Sequence, residues 1–259
     1  MKTIKNTLLL IFTFSTSLLL SQNAKEISKK ASDAVDLDAM EMISTLKIYD
    51  TKGNVRTRQT ATATKKFGQV SKTLLRFLAP ADVKGTGMLI YDYENKSDEM
   101  WIYMPAIRKT RRIISSEKSK SFMGSEFTNA DMSKPNLNDY HYKLLGIENF
   151  NGAACWKIHF EPINEDIEDE NGFSKKIAWI NKTNNLVQKV EYYDLDGELH
   201  KTMLIKNYKL VDAAKKRYFA YYMEIKNIQT GRKSTLNIDK FQKGSSMKES
   251  NFSPSALSK

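Results

Sequence analysis

Apolar and polar residues alternate with a period of two along most of the chain. This pattern predicts about twelve short strands, because successive side chains of a strand point to opposite faces of a sheet. The predicted segments are roughly residues 40–48, 55–66, 69–78, 88–93, 101–104, 140–148, 153–162, 175–181, 186–194, 199–210, 217–228 and 233–241. Turn residues separate many of these segments, among them Asn151–Gly152 and Asp196–Gly197, which favours antiparallel hairpins. Gly85 and Gly87 precede the fourth segment and predict a bulge or a close backbone contact at its start.

One segment has the helical period instead. Residues 25–38 bring Ile27, Ala31, Ala34 and Val35 onto one face, which predicts a short helix packed against the sheet. No change in composition marks a second domain. The chain is therefore predicted to be mainly β, with one curved antiparallel sheet and a helix or helical loops against it, in the manner of a sandwich or a barrel.

The first residues have the pattern of a secretory signal peptide. Lys2 and Lys5 precede an apolar run over residues 8–20, and small or polar residues follow it. A membrane-spanning helix needs roughly 20 apolar residues, so an uncleaved anchor fits less well. We expect residues 1–21 to be removed, leaving a single domain over 22–259. No cysteine lies near the cut, so the protein is expected to be soluble in the periplasm without an attached lipid.

The charge balance is strongly basic. The formal net charge is +11, and removing the two lysines of the predicted signal peptide leaves +11 − 2 = +9. In an exported protein this excess favours acidic lipid headgroups or an acidic partner over nucleic acid. Keeping the fold soluble is an equally good explanation. Cys155, the sole cysteine, excludes an internal disulfide and is predicted to be a small buried strand residue.

No motif for catalysis, metal binding or a cofactor is present. His141, His159 and His200 fall in separate predicted strands, without the spacing of zinc ligands. The acidic runs at residues 165–170 and 194–197 do not match a calcium-binding loop, and they predict a solvated loop and a hairpin turn. No nucleophile elbow or phosphate-binding loop occurs. We therefore predict no catalytic residue, no metal and no cofactor.

Residues 100–132 combine apolar and basic groups. A short aromatic strand at 101–104 ends at Pro105, which cannot donate to a sheet. A basic segment and a glycine-centred apolar loop at 121–127 follow. Apolar surface beside positive charge suits an amphipathic, anionic ligand or a membrane surface. The eleven methionines fit an adaptable apolar surface, although gap-filling in a large core explains them equally well.

The order of residues in this stretch resembles the outer membrane lipoprotein-sorting (LolA-like) family. Trp101, Tyr103 and Pro105 come first, then a basic strand, then the loop Ser121–Ser125 with Phe127, Thr128 and Asp131. The resemblance covers roughly residues 35–245. It implies a strongly curved antiparallel sheet that forms an incomplete, half-open barrel, with helices covering the mouth and an apolar concave side that accepts lipid chains. Proteins of this kind shield acyl chains in the periplasm without covalent chemistry.

The resulting hypothesis is a periplasmic carrier that moves lipoproteins or lipids toward the outer membrane and is not an enzyme. Its partners would be acyl chains, an inner-membrane transporter or outer-membrane receptor, and the membrane surface. Three groups of residues are predicted to act: a concave wall, a movable lid around Gly124, and a basic rim for headgroups or a partner. They are Trp101, Tyr103, Met104 and Met88 for the wall, Phe122, Met123 and Phe127 for the lid, and Arg108, Arg111 and Arg112 for the rim.

Two other functions remain open at this stage. A periplasmic accessory protein of an envelope transport complex would use the basic segment to bind protein and would fill its concave side with its own side chains. A hydrolase acting on envelope lipids would need a convergent nucleophile and base, which the sequence does not display.

Overall fold

The computed structural model describes residues 23–94 and 96–258, so the predicted signal peptide lies outside the described residues. Thirteen strands and three α-helices make up this part of the chain. The helices are α1 (residues 23–35), α2 (Ser115–Lys118) and α3 (Glu165–Asn171). The strands are β1 (Ala39–Tyr49), β2 (Val55–Phe67), β3 (Val70–Ala79), β4 (Gly87–Tyr93), β5 (Glu99–Met104), β6 (Lys109–Ile113), β7 (Tyr140–Phe150), β8 (Ala153–Pro162), β9 (Lys175–Asn181), β10 (Val187–Tyr193), β11 (Leu199–Asp212), β12 (Arg217–Asn227) and β13 (Lys233–Lys243). None of the helices in the described ranges is long and apolar enough to cross a membrane.

All the strands belong to one antiparallel sheet in the order β6-β5-β4-β3-β2-β1-β13-β12-β11-β10-β9-β8-β7. The chain runs outward from β1 to β6, crosses to the opposite edge, and returns from β7 to β13, which pairs with β1. Residues 114–139 make this crossing, and we call them the crossing segment. Because β6 and β7 do not pair with each other, the sheet is open and the barrel is not closed.

The sheet is strongly curved, because side chains from β1–β3 and from β8–β12 line the same cavity. We call this side of the sheet the concave face and the other side the convex face. The larger core cluster lies on the concave face, where α1 contributes Ala24, Ile27 and Ala31. The predicted mainly β, half-open architecture with covering helices is thus confirmed.

A second core lies on the convex face. There the C-terminal segment, residues 245–258, buries Phe252 and Leu257 completely against the sheet. A Cβ atom on Gly87 would approach Leu257 to 2.9 Å, so glycine permits this close packing at the start of β4. The predicted close contact at this glycine is therefore confirmed.

One local prediction is wrong. The acidic run predicted as a loop forms α3, because the Asn164 side chain accepts a hydrogen bond from the Ile167 amide at its start and Gly172 ends it with φ of 73°. The basic segment forms the strand β6 at the edge of the sheet, in agreement with the basic strand of the family pattern, although alternation of polarity does not predict it. Its residues do not alternate in polarity, because only Ile113 is buried.

Candidate functional site

A cavity of about 830 Å³ lies between the concave face, α1 and the crossing segment. This volume is toward the upper end of the range of about 300–1,000 Å³ that is common for small-molecule sites. Most of the surface that lines the cavity is apolar, and several of the apolar side chains are flexible methionines that adapt to ligands of different shape. They include Met40, Met42, Leu75, Ile90, Met132, Val190, Met203, Ile205, Met223 and Leu236.

Helix α1 closes one side of the cavity with small side chains. Ser28, Ala31 and Ser32 line the space, together with Val35 near the end of the helix. The Ser28 hydroxyl donates to the Ala24 carbonyl at 2.8 Å, so it is satisfied within the helix. A helix face with such short side chains covers the sheet without filling the hollow beneath it.

The loop Ser121–Thr128 of the crossing segment forms another part of the wall. Phe122 and Phe127 are 4% and 3% exposed, and both line the cavity. The Phe122 amide donates to the Phe127 carbonyl at 2.8 Å, and the Ser125 hydroxyl donates to the Phe122 carbonyl at 2.7 Å. These bonds hold the loop in a compact turn from which both phenylalanines line the cavity.

Buried Glu126 fixes this loop to the sheet. Its amide donates to the Ser234 hydroxyl at 2.9 Å, and its carboxylate accepts from Asn227 at 3.0 Å and pairs with Arg232 Nε at 3.1 Å. Lys201 Nζ donates to the Glu126 carbonyl at 3.1 Å. The loop is therefore a firmly bonded wall in this structure, whereas the sequence predicts a movable lid.

Trp101 and Tyr103 are not on the concave face, contrary to the prediction. Both pack against the convex core formed with Phe252 and Leu257. The alternating residues Met100 and Ile102 belong to the concave cluster instead. Because a strand presents successive side chains to opposite faces, the aromatic residues of β5 and the cavity are separated by the sheet.

The remaining predicted wall and lid residues do not line the cavity. Met88 is 1% exposed and lies within the concave core of β4. Met123 has a left-handed backbone, with φ of 53°, and packs against the same core. Met104 ends β5 and is half-buried. Of the seven predicted cavity and lid residues, Phe122 and Phe127 contact the space itself.

The predicted rim arginines lie on or next to the edge strand β6, and all are exposed. Arg111 pairs with Glu117 at 2.6 Å, and Arg112 pairs with Glu99 at 3.3 Å. Arg108 precedes β6 in a left-handed conformation, with φ of 50°. Exposed pairs of this kind contribute about 0–1 kcal/mol each, so the arginines remain available to an anionic surface.

The cavity wall also contains acidic and basic groups that no sequence pattern singles out. Asp92 and Asp98 lie side by side, and burial together with the charge of Asp98 raises the pKa of Asp92 to about 7. Lys118 is 3% exposed and forms an ion pair with Glu170 of α3. This ion pair joins α2 to α3 at the wall of the cavity.

Lys176 of β9 is the most unusual of these groups. Its ammonium lies 4.5 Å from the ring centre of Tyr140 and 5.2 Å from those of Phe160 and Phe173. Burial lowers its pKa to about 8, and the charge of Asp131 opposes this shift. Lys176, Ala178 and Ile180 alternate along β9, so the sequence pattern itself places this lysine on an apolar face.

The three histidines are not brought together. His200 lines the cavity, where its Nε2 lies 3.2 Å from Asn227 Nδ2 and burial lowers its pKa. Burial likewise lowers the pKa of His159. Across residues 23–94 and 96–258, no group of three histidine, cysteine or acidic side chains is arranged to hold a metal ion.

Solved structures with the same fold are known. One, named as an outer membrane lipoprotein-sorting protein domain from Vibrio parahaemolyticus, is 28% identical and has a TM-score of 0.84, with 92% of this chain and 100% of that chain covered. A DUF1329 family protein from Desulfovibrio piger is 25% identical with a TM-score of 0.84, over 92% of this chain and 99% of that chain. A LolA superfamily protein from Nitrosomonas europaea is 19% identical with a TM-score of 0.68, over 89% of this chain and 97% of that chain.

These likenesses confirm the resemblance that the sequence motif indicated. A comparison with curated proteins finds no match. A family model that bears the description "-like: Uncharacterized protein" matches residues 69–259, which is more than half of the chain. The protein therefore belongs to that family, and it has the fold of the lipoprotein-sorting, LolA-like proteins.

Proposed function

We propose that the protein is a periplasmic carrier that holds the acyl chains of lipoproteins or lipids in its concave cavity and helps to move them toward the outer membrane. The observation that carries this proposal is the apolar cavity of about 830 Å³, which the protein's own side chains leave unfilled. Binding of this kind is non-covalent and needs neither a cofactor nor a catalytic group.

The energetics favour long chains as cargo. Burying an acyl chain contributes about 0.8 kcal/mol per methylene, so a dozen methylenes contribute about 10 kcal/mol. Association itself costs an estimated 4–15 kcal/mol. Short chains would therefore leave too little net affinity, and we expect chains of about a dozen methylenes or more to be retained.

Filling the cavity tests the proposal. Ile205 of β11 lines the space and is half-buried, so the indole of Ile205→Trp would enter it. If the indole displaces about two methylenes of cargo, at about 0.8 kcal/mol each, the affinity falls roughly tenfold to twentyfold. Leu204→Trp is the matched control, because the neighbouring residue does not line the cavity and β11 alternates between faces.

The measurement is native mass spectrometry of protein purified without detergent, with extraction of bound lipid. We expect adducts with the mass of acyl lipids on the wild type and on Leu204→Trp, and fewer on Ile205→Trp. A wild-type protein that carries no extractable lipid and binds no added palmitate or hexadecanol would contradict the proposal. It would favour an accessory protein that works without cargo.

A further inference from the structure

Lys176 places a cation in a cavity that is otherwise mainly apolar. Its strand neighbours in the sheet are Phe160 on β8 and Tyr192 on β10, so aromatic residues flank it on both sides. The side chain is half-buried and lines the cavity. Since Lys176 is one of the residues that line the cavity, part of its remaining exposed surface faces that space.

No side chain among the described residues neutralises this cation directly. Asp131 of the crossing segment acts on it only at a distance, because the two do not approach within an ion-pair separation of 4.0 Å. The Asp131 carboxylate is already held by the Thr128 amide at 2.7 Å. With a pKa of about 8, Lys176 is still mostly protonated at neutral pH.

The aromatic rings stabilise only part of the charge. Their π faces attract the ammonium electrostatically. An ammonium also has three N–H donors, and a ring face is a poor substitute for an oxygen acceptor. A negatively charged oxygen provides both the acceptor and the countercharge, and such charge-assisted bonds are about twice as strong as neutral ones.

We propose that Lys176 is the headgroup site of the cavity and binds the carboxylate or phosphate oxygens of an anionic lipid whose acyl chain occupies the apolar part. This inference rests on the carrier function proposed above and specifies its cargo. The flanking rings of Tyr140, Phe160 and Phe173 keep the ammonium in place when no cargo is bound. An amphiphile with a neutral headgroup would leave the lysine without an acceptor.

Ligands that share one chain length but differ in headgroup test this proposal. Palmitate, hexadecyl phosphate and hexadecanol would be titrated at pH 7 by displacement of a fluorescent alkyl probe. For the wild type we expect at least one of the two anions to bind tenfold or more tightly than hexadecanol. The stronger of the two identifies the headgroup as a carboxylate or a phosphate.

Two variants on the same strand separate the headgroup contact from general effects of charge. Lys176→Met keeps the apolar stem and removes the cation, so the ratio of its affinities for the preferred anion and for hexadecanol should fall from tenfold or more to about one. Lys175→Met is the matched control. Lys175 is next in sequence on the opposite face, where its ammonium lies 4.7 Å from the Tyr193 ring, and its loss should leave the preference intact.

The outcomes distinguish the headgroup site from the carrier function. Equal wild-type affinities for all three ligands, or an anion preference that persists in Lys176→Met, would overturn the headgroup site and leave the carrier function standing. Failure of all three to bind the wild type would overturn both. Circular dichroism checks that Lys176→Met is folded, and Lys176→Gln gives the same comparison if it is not.

Discussion

Arg58 offers the sharpest test of the packing on the concave side. It is 8% exposed, and its Nε and Nη1 atoms have no hydrogen-bond partner. Its guanidinium lies 6.0 Å from the ring centre of Phe77, which in turn packs against Phe122 of the loop. Burial lowers the pKa of Arg58, and the negative charge of Asp82 offsets this shift only in part. The chain thus buries two guanidinium nitrogens of Arg58 without giving them an acceptor.

We expect Arg58→Met to stabilise the protein. Each unsatisfied buried N–H costs about 1–3 kcal/mol. The lost attraction to Phe77 offsets about 1–2 kcal/mol of that gain, while methionine retains the apolar stem. Two such nitrogens cost about 2–6 kcal/mol, so the net effect is an increase of up to about 5 kcal/mol in the free energy of unfolding, with a central value of about 2–3 kcal/mol. Each kcal/mol raises Tm by roughly 2–4 °C in a chain of this size.

Urea denaturation at pH 7, followed by circular dichroism, measures this change. Arg56→Met is the control, because Arg56 lies two residues away on the same strand but is exposed, so its stability should change by less than about 0.5 kcal/mol. A loss of 1 kcal/mol or more in Arg58→Met would refute the reasoning. It would mean that the buried guanidinium makes a net favourable contribution.

Two further predictions concern the mouth of the cavity and the convex core. The raised pKa of Asp92, about 7 against an ordinary value near 3.9, means that the folded state binds the proton more tightly, so this group's contribution to stability falls as pH rises from about 4 to about 7. Asp92→Asn should therefore gain about 1–3 kcal/mol over the wild type across that window, with the difference vanishing near pH 4; a constant difference in urea melts would contradict this. Phe252→Ala should lose about 3–5 kcal/mol of stability, because the ring is fully buried, yet leave palmitate affinity unchanged because it lies on the convex face. A parallel fall in affinity would show that the two faces are coupled.

Alternation of polarity predicts the strands well because it reports a local property of the backbone. The segment predicted at 153–162 matches β8, and the one at 175–181 matches β9. Strand β6 has no such signal, since an edge strand with exposed residues has little apolar surface to bury. Helix α3 was obscured by its acidic composition, although Asn164 and Gly172 are ordinary capping residues.

The face on which each side chain lies is harder to predict than the strand itself. Strand β5 is apolar at Trp101 and Tyr103 as well as at Met100 and Ile102, because the C-terminal segment covers its convex face. When both faces are covered, alternation no longer distinguishes them, so the sequence alone places the aromatic residues on the wrong face. The position of Lys176 in the cavity is hard to predict for a related reason. A single lysine among apolar neighbours indicates a binding site only once the curvature of the sheet shows that its face lines a cavity.

The pairing of β1 with β13 has a consequence for how the molecule folds. Every other pair of adjacent strands in the sheet is consecutive in the chain, whereas this pair sets Met40 opposite Lys243. Closing so long a loop is entropically costly, and distant contacts of this kind slow folding. We expect the two halves of the sheet, β1–β6 and β7–β13, to form early and to join last through the β1–β13 pair. The cavity would then form only at that final step.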